Sequence, residues 1–182
     1  MMKKILVAAV LVFTLCCCEQ RKVAREMKAF METEIRFTDD IFKVEDRNVF
    51  QYGVACSRPL MVMYFDSTDC SSCQIGHLQN YIGLFEMADT SGLFDVVFLF
   101  SPGEEEYDNV MQQLVMLDFP YPLYIDYGCS FGRENRAIPE DDRYHCFLLG
   151  KDGRPVFVGN PLMSHELMDV FRETLERRGN SL

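Results

Sequence analysis

Two runs of consecutive apolar residues constrain this chain more than any other feature. Leu60-Met61-Val62-Met63-Tyr64-Phe65 has no polar–apolar alternation, and Phe94-Asp95-Val96-Val97-Phe98-Leu99-Phe100 is interrupted only once. A strand that is apolar on both faces belongs inside a parallel sheet, with helices covering each side. Between the runs, Ile75, Leu78, Ile82 and Phe85 recur at helical spacing. That spacing predicts a helix from near Cys70 to about Met87.

The rest of the chain extends this alternation. Val23, Met27, Phe30, Met31 and Ile35 predict an amphipathic helix over 20–36. Residues 37–58 are mixed, with a short strand expected near Val49 to Tyr52. Ser101-Pro102-Gly103-Glu104 reads as a helix start with Ser101 as N-cap. Tyr107, Val110, Met111, Leu114 and Leu117 would form the apolar face of that helix. Pro122 to Asp126 predicts a short strand, and Gly128 to Ile138 a turn with a short helix. Tyr144 to Leu149 and Pro155 to Val158 predict two strands, joined through the hairpin signal Asp152-Gly153. A last helix is expected from Ser164 to Arg178, with Leu167, Val170, Phe171 and Leu175 inward. The fold class is α/β: a three-layer sandwich around a mixed central sheet.

Composition narrows the function classes. The 182 residues include 15 Phe, 8 Tyr and 11 Met, ample material for a core, which excludes intrinsic disorder. A net charge of −10 without a basic stripe excludes nucleic acid as a partner. No run approaches the roughly 20 apolar residues that span a bilayer.

The N-terminus reads as an address. Met1 to Lys4 form a positive segment, Ile5 to Leu15 an uncharged apolar one, and Leu15-Cys16-Cys17-Cys18 follows. This resembles a bacterial lipoprotein signal box, which implies a signal peptide over 1–17 and a lipid anchor on Cys18; Cys17 is the alternative. An anchor and helix over 18–36 would precede one domain over 37–182. The expected location is the bacterial cell envelope, membrane-tethered and facing the periplasm, where disulfides persist.

The chemistry centres on Cys70-Ser71-Ser72-Cys73, between a buried strand and a helix. A helix N-terminus offers free N–H groups and partial positive charge, and both favour a thiolate. Cys70 is the expected attacking sulfur. Cys73, one turn deeper, would resolve the mixed disulfide. A structural disulfide is the plainer alternative. A Zn or Cu site with His77, four residues past Cys73, is another. No cofactor is implied.

Arg58 to Phe65 followed by Asp69 to Cys73 resembles the strand–loop–helix of the thioredoxin-like superfamily. Phe119 to Asp126 and Phe147 to Val158 are similar to its TlpA- and peroxiredoxin-like branch. The resemblance spans residues 58–178. It implies a thiol–disulfide oxidoreductase with Cys70 as nucleophile and Cys73 as resolving residue. Its partners would be protein thiols and disulfides or a redox carrier.

Three positions depart from the family pattern. Asp69 stands where an aromatic is usual, and its charge should raise the Cys70 pKa, favouring a reductant. Ser71-Ser72 replaces a proline-containing pair. The family's cis-proline, whose backbone meets the substrate, falls in register on His145, where a trans bond is expected. The same register puts His145 and Cys146 beside the CxxC, with His145 tuning Cys70 or relaying protons. Asp66 would cap the loop or assist proton transfer. Cys56 and Cys129 would pair or lie buried. A binding or scaffold protein without turnover is the second functional class, and a metal carrier the third. A peroxidase is disfavoured: Thr68 precedes Cys70 by two residues, without the proline expected beside it.

Overall fold

The computed structural model describes residues 20–51, 54 and 57–179. The expected signal peptide over 1–17, Cys18, Tyr52 and Cys56 therefore lie outside the described residues.

Among the described residues, seven strands form one sheet, running in space from Asn48–Gln51 (β2) through Ile41–Glu45 (β1), Leu123–Asp126 (β5), Asp95–Phe100 (β4), Leu60–Phe65 (β3) and Cys146–Leu149 (β6) to Pro155–Val158 (β7). The centre consists of β3 (Leu60–Phe65), β4 (Asp95–Phe100) and β5 (Leu123–Asp126), all parallel. All six residues of β3 are buried, as its unbroken apolar run requires. Antiparallel strands flank this core. On one side is the hairpin β1 (Ile41–Glu45) and β2 (Asn48–Gln51), with β1 against β5. On the other is β6 (Cys146–Leu149), with β7 (Pro155–Val158) outside it. A mixed sheet closed by an antiparallel hairpin is the α/β arrangement expected from the sequence.

Helices cover both faces. One face receives α2 (Ser71–Gly76), α3 (Ile82–Ser91), α4 (Tyr107–Met116) and α6 (His165–Gly179). The other receives α1 (20–32) and α5 (Ser130–Glu134). Phe30 of α1 meets Phe147 of β6 edge-to-face at 5.1 Å between ring centres.

Four expectations need correction. The helix after β3 is broken: α2 ends at Gly76, a 3-10 turn spans Leu78–Tyr81, and α3 follows. Glycine is a weak helix former, and it stands at that break. Ser101 does not cap a helix; α4 starts only at Tyr107. Its buried hydroxyl donates instead to Asp126 Oδ2, 2.7 Å away. Val170 is 51% exposed, because Phe171 and Leu175 set the buried face of α6 about a quarter-turn away. Strand β1 was not anticipated, since its two-residue turn uses Asp46 and Arg47 at positive φ (49° and 64°) where Asn-Gly would be the usual signal.

Candidate functional site

Parallel strands bring their C-terminal ends to one edge, where α/β folds place their chemistry. Here β3 runs into Asp66-Ser67-Thr68-Asp69-Cys70, β4 into Ser101 and β5 into Tyr127. Two carboxylates hold the loop after β3. Asp66 Oδ1 accepts from the Thr68 amide and hydroxyl, both at 2.7 Å. Asp69 Oδ2 accepts from the Asp66 amide at 3.1 Å. Asp66 is thus a loop cap.

Cys70 is the N-cap of α2 and is bonded to Cys73 as a disulfide. The Cys73 amide donates to Cys70 Sγ at 3.3 Å. That donor would also face a Cys70 thiolate. Both cysteines are exposed, which corrects the expectation that Cys73 lies deeper. The reason is angular: α2 buries Ser71 and Ile75, and Cys73 projects from the opposite side of the helix. Ser72, between the cysteines, accepts from Gln113 of α4 at 2.8 Å. Ser71 Oγ is buried without a hydrogen-bond partner among the described residues.

A cavity of about 610 Å³ is lined among others by Asp69 and Gln74, the residues that flank the Cys70–Cys73 segment, and by Tyr81, His145 and Cys146. His145 and Cys146 line this cavity together with Asp69. They are not equivalent there. Cys146 sits opposite Met63 of β3, its thiol against the Met63 sulfur. Burial pushes that thiol's pKa far up, so it stays protonated. His145 is buried, its Nε2 2.8 Å from the Pro139 carbonyl and its Nδ1 4.0 Å from Asp66 Oδ2. The peptide bonds among the described residues are trans. The His145 amide donates to Asp142 O, and its carbonyl accepts from the Tyr64 amide, both at 2.9 Å. Burial is the main cause of the raised pKa of Asp69.

His77 is exposed at the end of α2. Among the described residues no group of three or more His, Cys, Asp or Glu is arranged to hold a metal ion. Cys129 carries a free thiol 3.4 Å from the Pro102 carbonyl. Its pairing with Cys56 lies outside the described residues. Sequence reasoning missed the buried Asp126 carboxylate. It accepts from the Ser130 amide (3.1 Å) and hydroxyl (2.6 Å), the Phe131 amide (3.0 Å) and Ser101. A lone Asp at a strand end carries no distinguishing signal.

No family model matches the chain, and no curated protein matches it. Solved structures do resemble it. An uncharacterized thioredoxin-like protein from Porphyromonas gingivalis aligns at 12% identity over 83% of this chain and 97% of its own, with TM-score 0.47. The pneumococcal exposed lipoprotein thioredoxin of Streptococcus pneumoniae aligns at 18% identity over 75% and 98%, with TM-score 0.46.

Proposed function

We propose that this chain is a thiol–disulfide oxidoreductase of the bacterial cell envelope, held to a membrane by a lipid on Cys18. The observation that carries the catalytic part is the exposed Cys70–Cys73 disulfide at the edge of the parallel strands, with the Cys73 amide aimed at Cys70 Sγ. In the reduced protein, a Cys70 thiolate attacks one sulfur of a client disulfide. The client's S–S bond breaks, and its second sulfur leaves as a thiolate that takes a proton. Cys73, deprotonated in turn, attacks Cys70 Sγ, and the client's first sulfur leaves. Two electrons pass to the client, and Cys70–Cys73 is oxidised. An external thiol donor restores the dithiol. The carboxylate of Asp69 disfavours a low Cys70 pKa, which suits a reductant better than a strong oxidant.

The test is reduction of an insulin-type disulfide with dithiothreitol as donor. Wild type should turn over, Cys70→Ser should be inactive, and Cys73→Ser should accumulate a mixed disulfide with the client. Equal rates in wild type and Cys70→Ser would overturn the reading. One observation favours the second reading, a binding module without turnover. The backbone of His145, the register position of the family's substrate-docking proline, is hydrogen-bonded on both sides within the domain.

A further inference from the structure

His145 Nε2 lies 2.8 Å from the Pro139 carbonyl oxygen, which can only accept. The neutral ring therefore carries its proton on Nε2, and Nδ1 presents a lone pair. That Nδ1 is buried without a hydrogen-bond partner among the described residues, and faces the Asp66 carboxylate at 4.0 Å. A lone pair opposite a carboxylate is an unfavourable pairing in the neutral state. One proton converts it into a hydrogen-bonded ion pair.

Asp69 and Asp142 line the cavity that His145 also lines. Asp141 is held by Arg143, whose Nε–H donates to both carboxylate oxygens, at 2.8 and 3.1 Å. The Tyr64 ring lies 5.1 Å from the imidazole, and Cys146 is a buried neutral thiol. Two loops thus bring Asp69 and Asp142, with Arg143 beside them, to the cavity that this buried imidazole lines.

We propose that His145 is a positioning residue operated by a proton: Nδ1 takes a proton and closes onto Asp66, latching the loop that presents Cys70. Asp66 is the right place for such a latch. Its Oδ1 and its amide already organise Thr68 and Asp69, leaving Oδ2 for His145. The latched imidazolium offsets the fields of Asp66 and Asp69, so it also favours the Cys70 thiolate. By reciprocity, a thiolate at Cys70 strengthens proton binding at His145. This inference rests on Cys70 as the reactive sulfur of the proposed couple.

Two measurements on the reduced protein test it without a client. The first is the alkylation rate of Cys70 by iodoacetamide across roughly pH 5 to 8. His145→Gln keeps a donor for the Pro139 carbonyl but cannot charge. Wild type should react several-fold faster than His145→Gln at the acid end, and the two should converge at the alkaline end. A wild-type-to-variant ratio that does not change with pH overturns the latch. The second is the NMR titration of the three histidines. The His145 midpoint should move in Asp66→Asn, while those of His77 and His165 stay where they are in the wild type. Asp66→Asn retains an acceptor for Thr68, so its loop cap persists. An unchanged His145 midpoint in Asp66→Asn equally overturns the proposal. If both measurements behave as expected but insulin is not reduced, the latch stands and the oxidoreductase reading falls.

Discussion

At the residue scale, reactivity depends on which side chains set the field at each sulfur. Asp69 immediately precedes Cys70, and its carboxylate opposes a thiolate there. Asp69→Asn keeps an acceptor for the Asp66 amide while removing the charge. The Cys70 pKa should fall and its alkylation rate at neutral pH should rise a few-fold. The gain should shrink on acidification. The Asp69 pKa is raised, so the wild-type carboxyl loses its charge at a higher pH than an ordinary Asp. A rate unchanged at neutral pH would remove Asp69 from the account. Cys146 makes the opposite case. Its buried thiol should resist iodoacetamide in the native reduced protein and be labelled only in denaturant, as peptide mass mapping would report. The Cys70–Cys73 pair was legible in the sequence because strand, spacing and helix coincide on one segment. The Asp66–His145 contact was not, because 79 residues of chain separate its members and only the β3–β6 register joins them.

At the element scale, the long apolar runs were legible and the short connectors were not. Strands β3 and β4 needed only their own side chains to be recognised. Strand β2 was expected near Val49 to Tyr52, but its partner β1 hid behind a turn without glycine, and the break at Gly76 inside a pattern that stays helical through Phe85. Ser101 shows why local signals fail at this edge. Its sequence context is a good helix start, yet a buried carboxylate 25 residues later claims the hydroxyl. Asp126 is the hub of that edge: at the end of β5, its carboxylate accepts four hydrogen bonds, from Ser101 after β4 and from Ser130 and Phe131 of α5. Thr38 extends the chain of contacts through the Ser130 hydroxyl. Asp126→Ala would leave buried donors without an acceptor, each such group costing about 1–3 kcal/mol. We expect a loss of about 3 kcal/mol or more in urea unfolding at an unchanged m-value. A loss below about 1 kcal/mol would show that water or a rearranged loop takes over those donors.

At the scale of the whole molecule, the proposed N-terminal anchor and the domain would meet at α1. Cys18 precedes the first described residue of that helix by two positions, at most about 7 Å of extended chain. Because α1 seats Phe30 in the core against Phe147, a lipid on Cys18 would hold the domain itself at the bilayer, without a long tether. An acidic body near anionic lipid is repelled, but Arg21, Lys22, Arg25 and Lys28 place local positive charge on α1. Each buried CH₂ of an acyl chain contributes about 0.8 kcal/mol, so two or more chains anchor stably where one does not. The expected result is that full-length protein made in a bacterial host floats with membranes. Cys18→Ala should reduce the membrane-bound fraction at least about tenfold while retaining the signal peptide, and Cys17→Ala should leave it unchanged. The reverse pattern would move the anchor to Cys17, and flotation by both variants would dismiss lipidation at this box. The outcome has a chemical consequence: with so short a connection, the Cys70–Cys73 couple would meet clients within about one domain diameter of the membrane surface.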